Sequence, residues 1–133
     1  MSAIGNFLLV QRTGNLLYVS GHISRDVLGK LGSAQTVEDG YAAARSAADA
    51  TLETLERELG SLDRIVKLVK LVGFVNADPD FTQTPAVVNG ASDRFIEALG
   101  ERGRHARSAI GVAALPLGAS VEIEVIAEIR DQY

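Results

Sequence analysis

The sequence predicts an α+β domain in which two helices cover one face of a sheet of about five or six strands, in the order ββαβαββ. Three observations carry this. From Val121 to Ile129, Val121, Ile123, Val125, Ala127 and Ile129 share one parity while Glu122, Glu124, Ile126 and Glu128 share the other, the alternation of a half-buried strand. Tyr41, Ala44, Ala48, Leu52, Leu55 and Leu59 recur at helical spacing. Between Asp63 and Asn76 the apolar residues fall on both parities, as in a central strand buried on both sides.

The elements follow in order. Phe7 to Val10 and Leu16 to Val19 are apolar runs separated by QRTGN, whose Gly and Asn suit the turn of a β-hairpin. SRDVLGKLGSAQ is broken by polar residues and glycines and predicts a loop with one short strand at most. Thr36 with Asp39 forms a capping box with the shorter acid, and the first helix runs from there to Gly60. Its many alanines allow close approach to a sheet, and Glu53 with Arg57 is an exposed i,i+4 pair in the favourable order.

The β-branched run Asp63 to Asn76 follows, with Gly73 marking a bulge or a close backbone approach. After ADPDFTQ, Thr84 is an N-cap candidate with Pro85 at the first helical position. The second helix continues to about Leu99, with Val88, Ala91, Phe95 and Leu99 as its apolar stripe. Beyond the loop GERGRHAR, two strands are expected at Ser108 to Ala113 and Ser120 to about Ile129, joined by the turn-forming LPLGA. Two helices cover one face only, so the other is expected to be buried by self-association in a closed ring.

Length and composition bound the function. The 133 residues suit one domain spanning 1–133. The net charge of −4 weakens any proposal of non-specific nucleic-acid binding, the richest basic cluster being Arg102, Arg104, His105 and Arg107. The absence of cysteine excludes a thiol nucleophile, a disulfide framework and a Cys-based metal site. MSAIGNFLLVQRTGN lacks a secretory pattern and no segment approaches the apolar length of a membrane span, which makes a cytoplasmic location the default. No Walker loop, GxSxG, HExxH, dinucleotide fingerprint or EF-hand is present. His22 and His105 are far apart, without acids in ligand spacing, and read as structural or solvent-exposed.

The remaining candidates are Ser20, Gly21 and His22 after the hairpin, Asn89 in the second helix, Arg107 and Glu122. An arginine between Ala106 and Ser108, where a strand begins, presents a five-donor fork to a small carboxylate, or else pairs with a neighbouring acid at the surface. Glu122, Glu124 and Glu128 on one strand face are a solvated surface unless one is desolvated, in which case it serves as a base.

The runs SGH at 20–22, FVNADPDFTQTPAVVNGASDRF and above all HARSAIGVAALPLGASVEIEVIA resemble the Rid family, also called YjgF, over about residues 5 to 130. The stretch NGASDRF followed by GRHARSAIGVAALPLG is similar to a branch labelled endoribonuclease or translation inhibitor. The resemblance implies a chorismate-mutase-like fold assembled as a homotrimer, with a central barrel of sheets, helices outside and clefts between subunits. It further implies hydrolytic deamination of reactive imino or enamine acids such as 2-aminoacrylate and 2-iminopropanoate, without a metal or organic cofactor. Arg107 would hold the substrate carboxylate and Glu122 would position or activate the attacking water. Phe7, Ser20, Gly21, His22 and Asn89 would line the cleft.

Three positions depart from the family pattern. Phe7 stands where a tyrosine is common, His22 where a glutamine is usual, and Gly111 where some members carry a larger or acidic residue, which would widen the cleft. A non-catalytic carboxylate-binding trimer is the alternative; RNA cleavage, the third, fits neither the acidic charge nor the lack of a paired histidine site.

Overall fold

A computed structural model of the chain describes residues 5–131, so the outermost ends of the single domain expected over 1–133 lie outside the described residues. The elements are β1 (Val10–Thr13), β2 (Leu16–Ile23), α1 (Val37–Leu59), β3 (Ile65–Asn76), α2 (Thr84–Leu99), β4 (Ala106–Val112) and β5 (Val121–Ile129). Their order is the predicted ββαβαββ, in one five-stranded sheet arranged β1-β2-β5-β3-β4. β5, last in the chain, occupies the middle, antiparallel to both β2 and β3. β4 is an edge strand parallel to β3, an arrangement that requires a long crossover, which α2 supplies.

α1 starts as predicted. Thr36 Oγ1 accepts from the Asp39 amide at 3.1 Å, the Asp39 carboxylate accepts from the Thr36 amide at 3.0 Å, and Gly60 ends the helix at φ 81°. Ala43, Ala44, Ala47 and Ala48 are fully buried. The helices touch backbone to backbone at Gly90, where an added Cβ would lie 2.1 Å from the Tyr41 carbonyl oxygen. Gly73 is the predicted close approach, since a Cβ there would lie 2.6 Å from Val88 Cγ2. The β3–β5 register breaks elsewhere, between Ile65 and Lys67 and between Leu68 and Lys70.

Leu17, Val19, Leu71, Val75, Ile123, Val125, Ala127 and Ile129 form the sheet side of the core under the helices. The opposite face is open in the single chain, with Tyr18 44% and Ile110 46% exposed. It is nonetheless apolar enough to explain why both parities of β3 read as buried.

Four local expectations are corrected. The hairpin loop is only Gly14–Asn15, because Thr13 pairs with Leu16 and Gly14 takes φ 57°. Polar Gln11, Arg12 and Thr13 are tolerated in β1 as an edge strand, while Phe7, Leu8 and Leu9 precede it. Gln83, not Thr84, occupies the N-cap of α2, and the Thr84 hydroxyl instead donates to the Ala109 carbonyl at 3.1 Å, tying α2 to β4. Glu53 accepts from Arg25 at 2.8 Å rather than from Arg57, because the loop after β2 passes over α1 and brings a closer cation. β4 begins at Ala106, so Arg107 lies within the strand rather than ahead of it.

Candidate functional site

Arg107 is registered with Leu71, which puts its side chain on the helix-covered face. Nη1 donates to Asn89 Oδ1 at 2.8 Å and to Ser92 Oγ at 3.1 Å, and Nη2 donates to the Pro85 carbonyl at 3.4 Å. Asn89 and Ser92 are three residues apart and therefore share one face of α2. All three acceptors are neutral, and Arg107 takes part in none of the ion pairs among the described residues. The guanidinium is held on one side, and its Nε–H and the remaining Nη2–H keep the geometry of a carboxylate fork.

Behind it stands His105. Its Nδ1 lies 2.6 Å from the Gly103 carbonyl, which can only accept, so the neutral ring carries its hydrogen there. Nε2 then accepts from the Ser92 hydroxyl at 2.9 Å. The ring meets Phe95 edge-on at 6.4 Å, which fixes its plane. Burial pushes the imidazole below its ordinary range; the Gly103 bond opposes this and the Arg107 charge reinforces it. Ser92, Ile96, Arg104, His105 and Arg107 line a recess of about 220 Å³.

Glu122 lies on the other face. It is registered with Phe74 on one side and Ile23 on the other. Its carboxylate lies over Gly21, where a Cβ would be 2.0 Å from Oε2. Only glycine leaves room for it. Burial raises the Glu122 carboxyl above the usual range, the neighbouring Glu124 adds to this, and Glu122 has no cation among the described ion pairs. Desolvation without a counter-charge is the condition that makes a carboxylate basic.

Ser20 closes this side. Its amide donates to the Leu9 carbonyl at 2.9 Å and its hydroxyl to the Leu8 carbonyl at 2.6 Å, clasping the segment that carries Phe7. Phe7 is 49% exposed. Leu8, Tyr18, Ser20, Glu124 and Ile126 border a second recess of about 300 Å³. Glu124 is exposed, and Glu128 lies 4.0 Å from Lys67 Nζ.

The trio Ser20–Gly21–His22 is divided by a register shift between Val19 and His22. Gly21 sits under Glu122, whereas His22 turns toward α1, donating from Nδ1 to the Ser20 carbonyl at 2.7 Å and accepting at Nε2 from Thr54 at 2.8 Å. Gly111 borders a third recess, of about 420 Å³, with Ala77 and Phe81; a Cβ there would make only ordinary contacts.

The chain therefore brings together Arg107 with Asn89, and Glu122 with Gly21, but not one pair with the other. Ser92 and His105 were missed as parts of the arginine cluster. The signal was present: Ser92 follows Asn89 by one helical turn, and His105 precedes Arg107 by two residues at the start of the strand. Among the described residues no group of three His, Asp or Glu is arranged to hold a metal ion, and no helix is long and apolar enough to cross a membrane.

The family model described as Endoribonuclease L-PSP matches residues 1–129. Protein TCP17 of Trypanosoma cruzi is 42% identical over 132 residues, 95% of this chain and 82% of that one. The solved structure of Atu1372 from Agrobacterium tumefaciens, a protein of unknown function, is 41% identical, covers 94% of this chain and 82% of its own, and superposes with a TM-score of 0.92. RidA from the Antarctic bacterium Psychrobacter sp. is 28% identical, covers 96% and 92%, and superposes with a TM-score of 0.64.

Proposed function

The chain belongs to the endoribonuclease L-PSP family, the YjgF or Rid proteins, and from that membership we propose that it hydrolyses small 2-imino and enamine acids to 2-oxo acids and ammonia. The observation that carries this reading is the unpaired charge of Arg107, held by Asn89, Ser92 and Pro85 so that its free edge meets a carboxylate. Glu122, a half-buried carboxylate without a cation, supplies the complementary group, a base.

In the proposed reaction Arg107 fixes the carboxylate of a substrate such as 2-iminopropanoate. Water adds to the imine carbon as Glu122 accepts one of its protons, and the C=N electron pair moves to nitrogen. The nitrogen takes that proton back from Glu122 to give a carbinolamine. Glu122 then accepts the hydroxyl proton and passes it to the nitrogen, so that the C–N bond breaks and ammonia leaves. The hydroxyl oxygen becomes the carbonyl of the 2-oxo acid, and Glu122 is again a carboxylate. The steps use the arginine for geometry and the glutamate for proton transfer, and no metal or organic cofactor.

One chain keeps the two halves apart, so the proposal includes a homotrimer in which the cleft between copies joins Arg107 and Asn89 of one to Glu122, Gly21, Ser20 and Phe7 of the next. Such an assembly covers the open apolar face of the sheet. His22, bonded under α1, acts at a distance by holding the Ser20–Gly21 backbone.

Phe7 favours a second reading, because its ring offers no hydroxyl to substrate or water: a trimer that binds small carboxylates without turnover. Ammonia release from freshly generated 2-aminoacrylate separates the two. Deaminase activity predicts acceleration over buffer and a loss of about 10²-fold or more in Arg107→Ala and in Glu122→Gln. Ligand-dependent stabilisation by 2-oxo acids without ammonia release would establish the binding protein instead.

A further inference from the structure

We propose that the ligand carries a second acidic group, received by Arg104 and His105 in the recess beside Arg107, so that the substrates are small dianions: 2-imino acids with a side-chain carboxylate or phosphate. This rests on the reading that Arg107 takes the first carboxylate.

The recess is basic in a chain of net charge −4. Of its five lining residues, Arg104, His105 and Arg107 carry or can take a positive charge, Ser92 offers a hydroxyl, and only Ile96 is apolar. A substrate with one carboxylate and a hydrocarbon side chain would satisfy Arg107 and leave the Arg104–His105 wall facing methyl groups. A second anion completes it.

Arg104 can be recruited at little cost. Its Nε donates to Glu101 at 3.0 Å, but the two side chains are 66% and 86% exposed, and ion pairs of that kind contribute roughly 0–1 kcal/mol.

His105 responds through its bonds. The chain of donors runs from Arg107 Nη1 to Ser92 Oγ, from the Ser92 hydroxyl to His105 Nε2, and from His105 Nδ1 to the Gly103 carbonyl. The groups that face the ring are Ser92 and Phe95 from α2, the Gly103 carbonyl, and the Arg107 charge from β4. When a second negative charge enters, a proton at Nε2 adds a positive charge to the wall and frees the Ser92 hydroxyl to turn toward the ligand.

The molecule holds an internal contrast. His22 is built the same way, from Arg57 Nη2 to Thr54 Oγ1, from Thr54 to Nε2, and from Nδ1 to the Ser20 carbonyl. The recess beside that chain is lined by Glu53 and Glu56 together with Arg57, so its cation already faces acids. The bond pattern alone does not make an anion site; the surplus of positive charge around His105 does.

Stable product analogues test this on the full chain: pyruvate, 2-oxoglutarate and 3-phosphonopyruvate, titrated calorimetrically at constant ionic strength. The proposal predicts that at least one dianion binds about tenfold or more tightly than pyruvate, with the tighter of the two naming the second group. That ratio should fall toward one in Arg104→Gln and shrink in His105→Gln, and should persist in Arg57→Gln. Pyruvate binding as tightly as both dianions, or a dianion preference that survives Arg104→Gln, would overturn it while leaving the Arg107 clamp intact. Absence of binding by all three compounds would sink the clamp itself, and this inference with it.

Discussion

Arg107 and Glu122 stand on opposite faces of one sheet, with β3 between their strands. Arg107 is registered with Leu71, buried under the helices, and Glu122 with Phe74 on the open side. Three residues along the strands and two strand spacings apart, their backbones are separated by roughly 14 Å, and their side chains point away from each other. A reaction that uses both therefore needs two copies of the chain, and both residues carry unbalanced charge until they meet a ligand.

Glu122 should be a site where function costs stability. Its carboxyl is raised, so as pH rises the unfolded chain releases this proton first; stability is fully present below the unfolded value near 4.5 and declines as pH rises through the folded one. Glu122→Gln removes that loss. Denaturant midpoints at pH 7 should be higher for the variant than for the parent, with the difference vanishing near pH 4, while turnover falls. A variant less stable than the parent at pH 7 would show that the carboxylate is stabilised by a partner.

Gly21→Ala should act on Glu122 rather than on the fold. The new methyl meets Oε2, the mobile end of a side chain, so Glu122 swings aside without moving the strand. The expected outcome is a kcat reduced by about 10-fold or more with a substrate KM close to the parent's, since the carboxylate clamp lies elsewhere. An unchanged kcat would mean that Glu122 is not the base.

Both histidines are pushed down, chiefly by burial. Below about pH 6.5 the unfolded chain therefore binds more protons than the folded one, and stability falls as pH drops from that value toward the folded pKa values. Urea midpoints should decline between pH 7.5 and 5.5, and decline less in a double His22→Gln, His105→Gln variant. Parallel curves for the two proteins would contradict the neutral, hydroxyl-accepting rings.

Gly90→Ala should destabilise by about 2–3 kcal/mol, because its Cβ meets not a side chain but the Tyr41 carbonyl oxygen and can be admitted only by moving α2 off α1. Gly111→Ala, with ordinary contacts, serves as the control and should stay within about 0.5 kcal/mol. Equal effects in thermal or urea unfolding would place the helix contact elsewhere.

The element order was legible because each signal was local. Thr36, Asp39 and Gly60 bound one helix, the parity of Val121 to Ile129 defines a strand, and Gly73 announces a close contact that Val88 makes. What escaped was anything decided by a neighbour distant in sequence. Glu53 chose Arg25 over Arg57, and Thr84 chose the Ala109 carbonyl over its own helix cap. The candidate site shows the same division. Arg107, Glu122 and Asn89 could be named as polar candidates from the sequence, and the family resemblance gave them roles, but the side of the sheet each faces depends on register, and the shift between Val19 and His22 is invisible in the sequence. His105 read as an isolated imidazole because Ser92 and Gly103, which give it its role, become its neighbours only when α2 packs beside β4.

The central claim is that one site is shared by two copies, and mixing variants tests it most directly. Arg107→Gln and Glu122→Gln chains, each inactive alone, are dissociated together, reassembled at equal ratio and assayed for ammonia release. A shared site in a trimer predicts recovery of about one quarter of parental activity, since one intact site forms wherever the two variants adjoin in the right order. No recovery, from mixed assemblies shown to contain both chains, would contradict it.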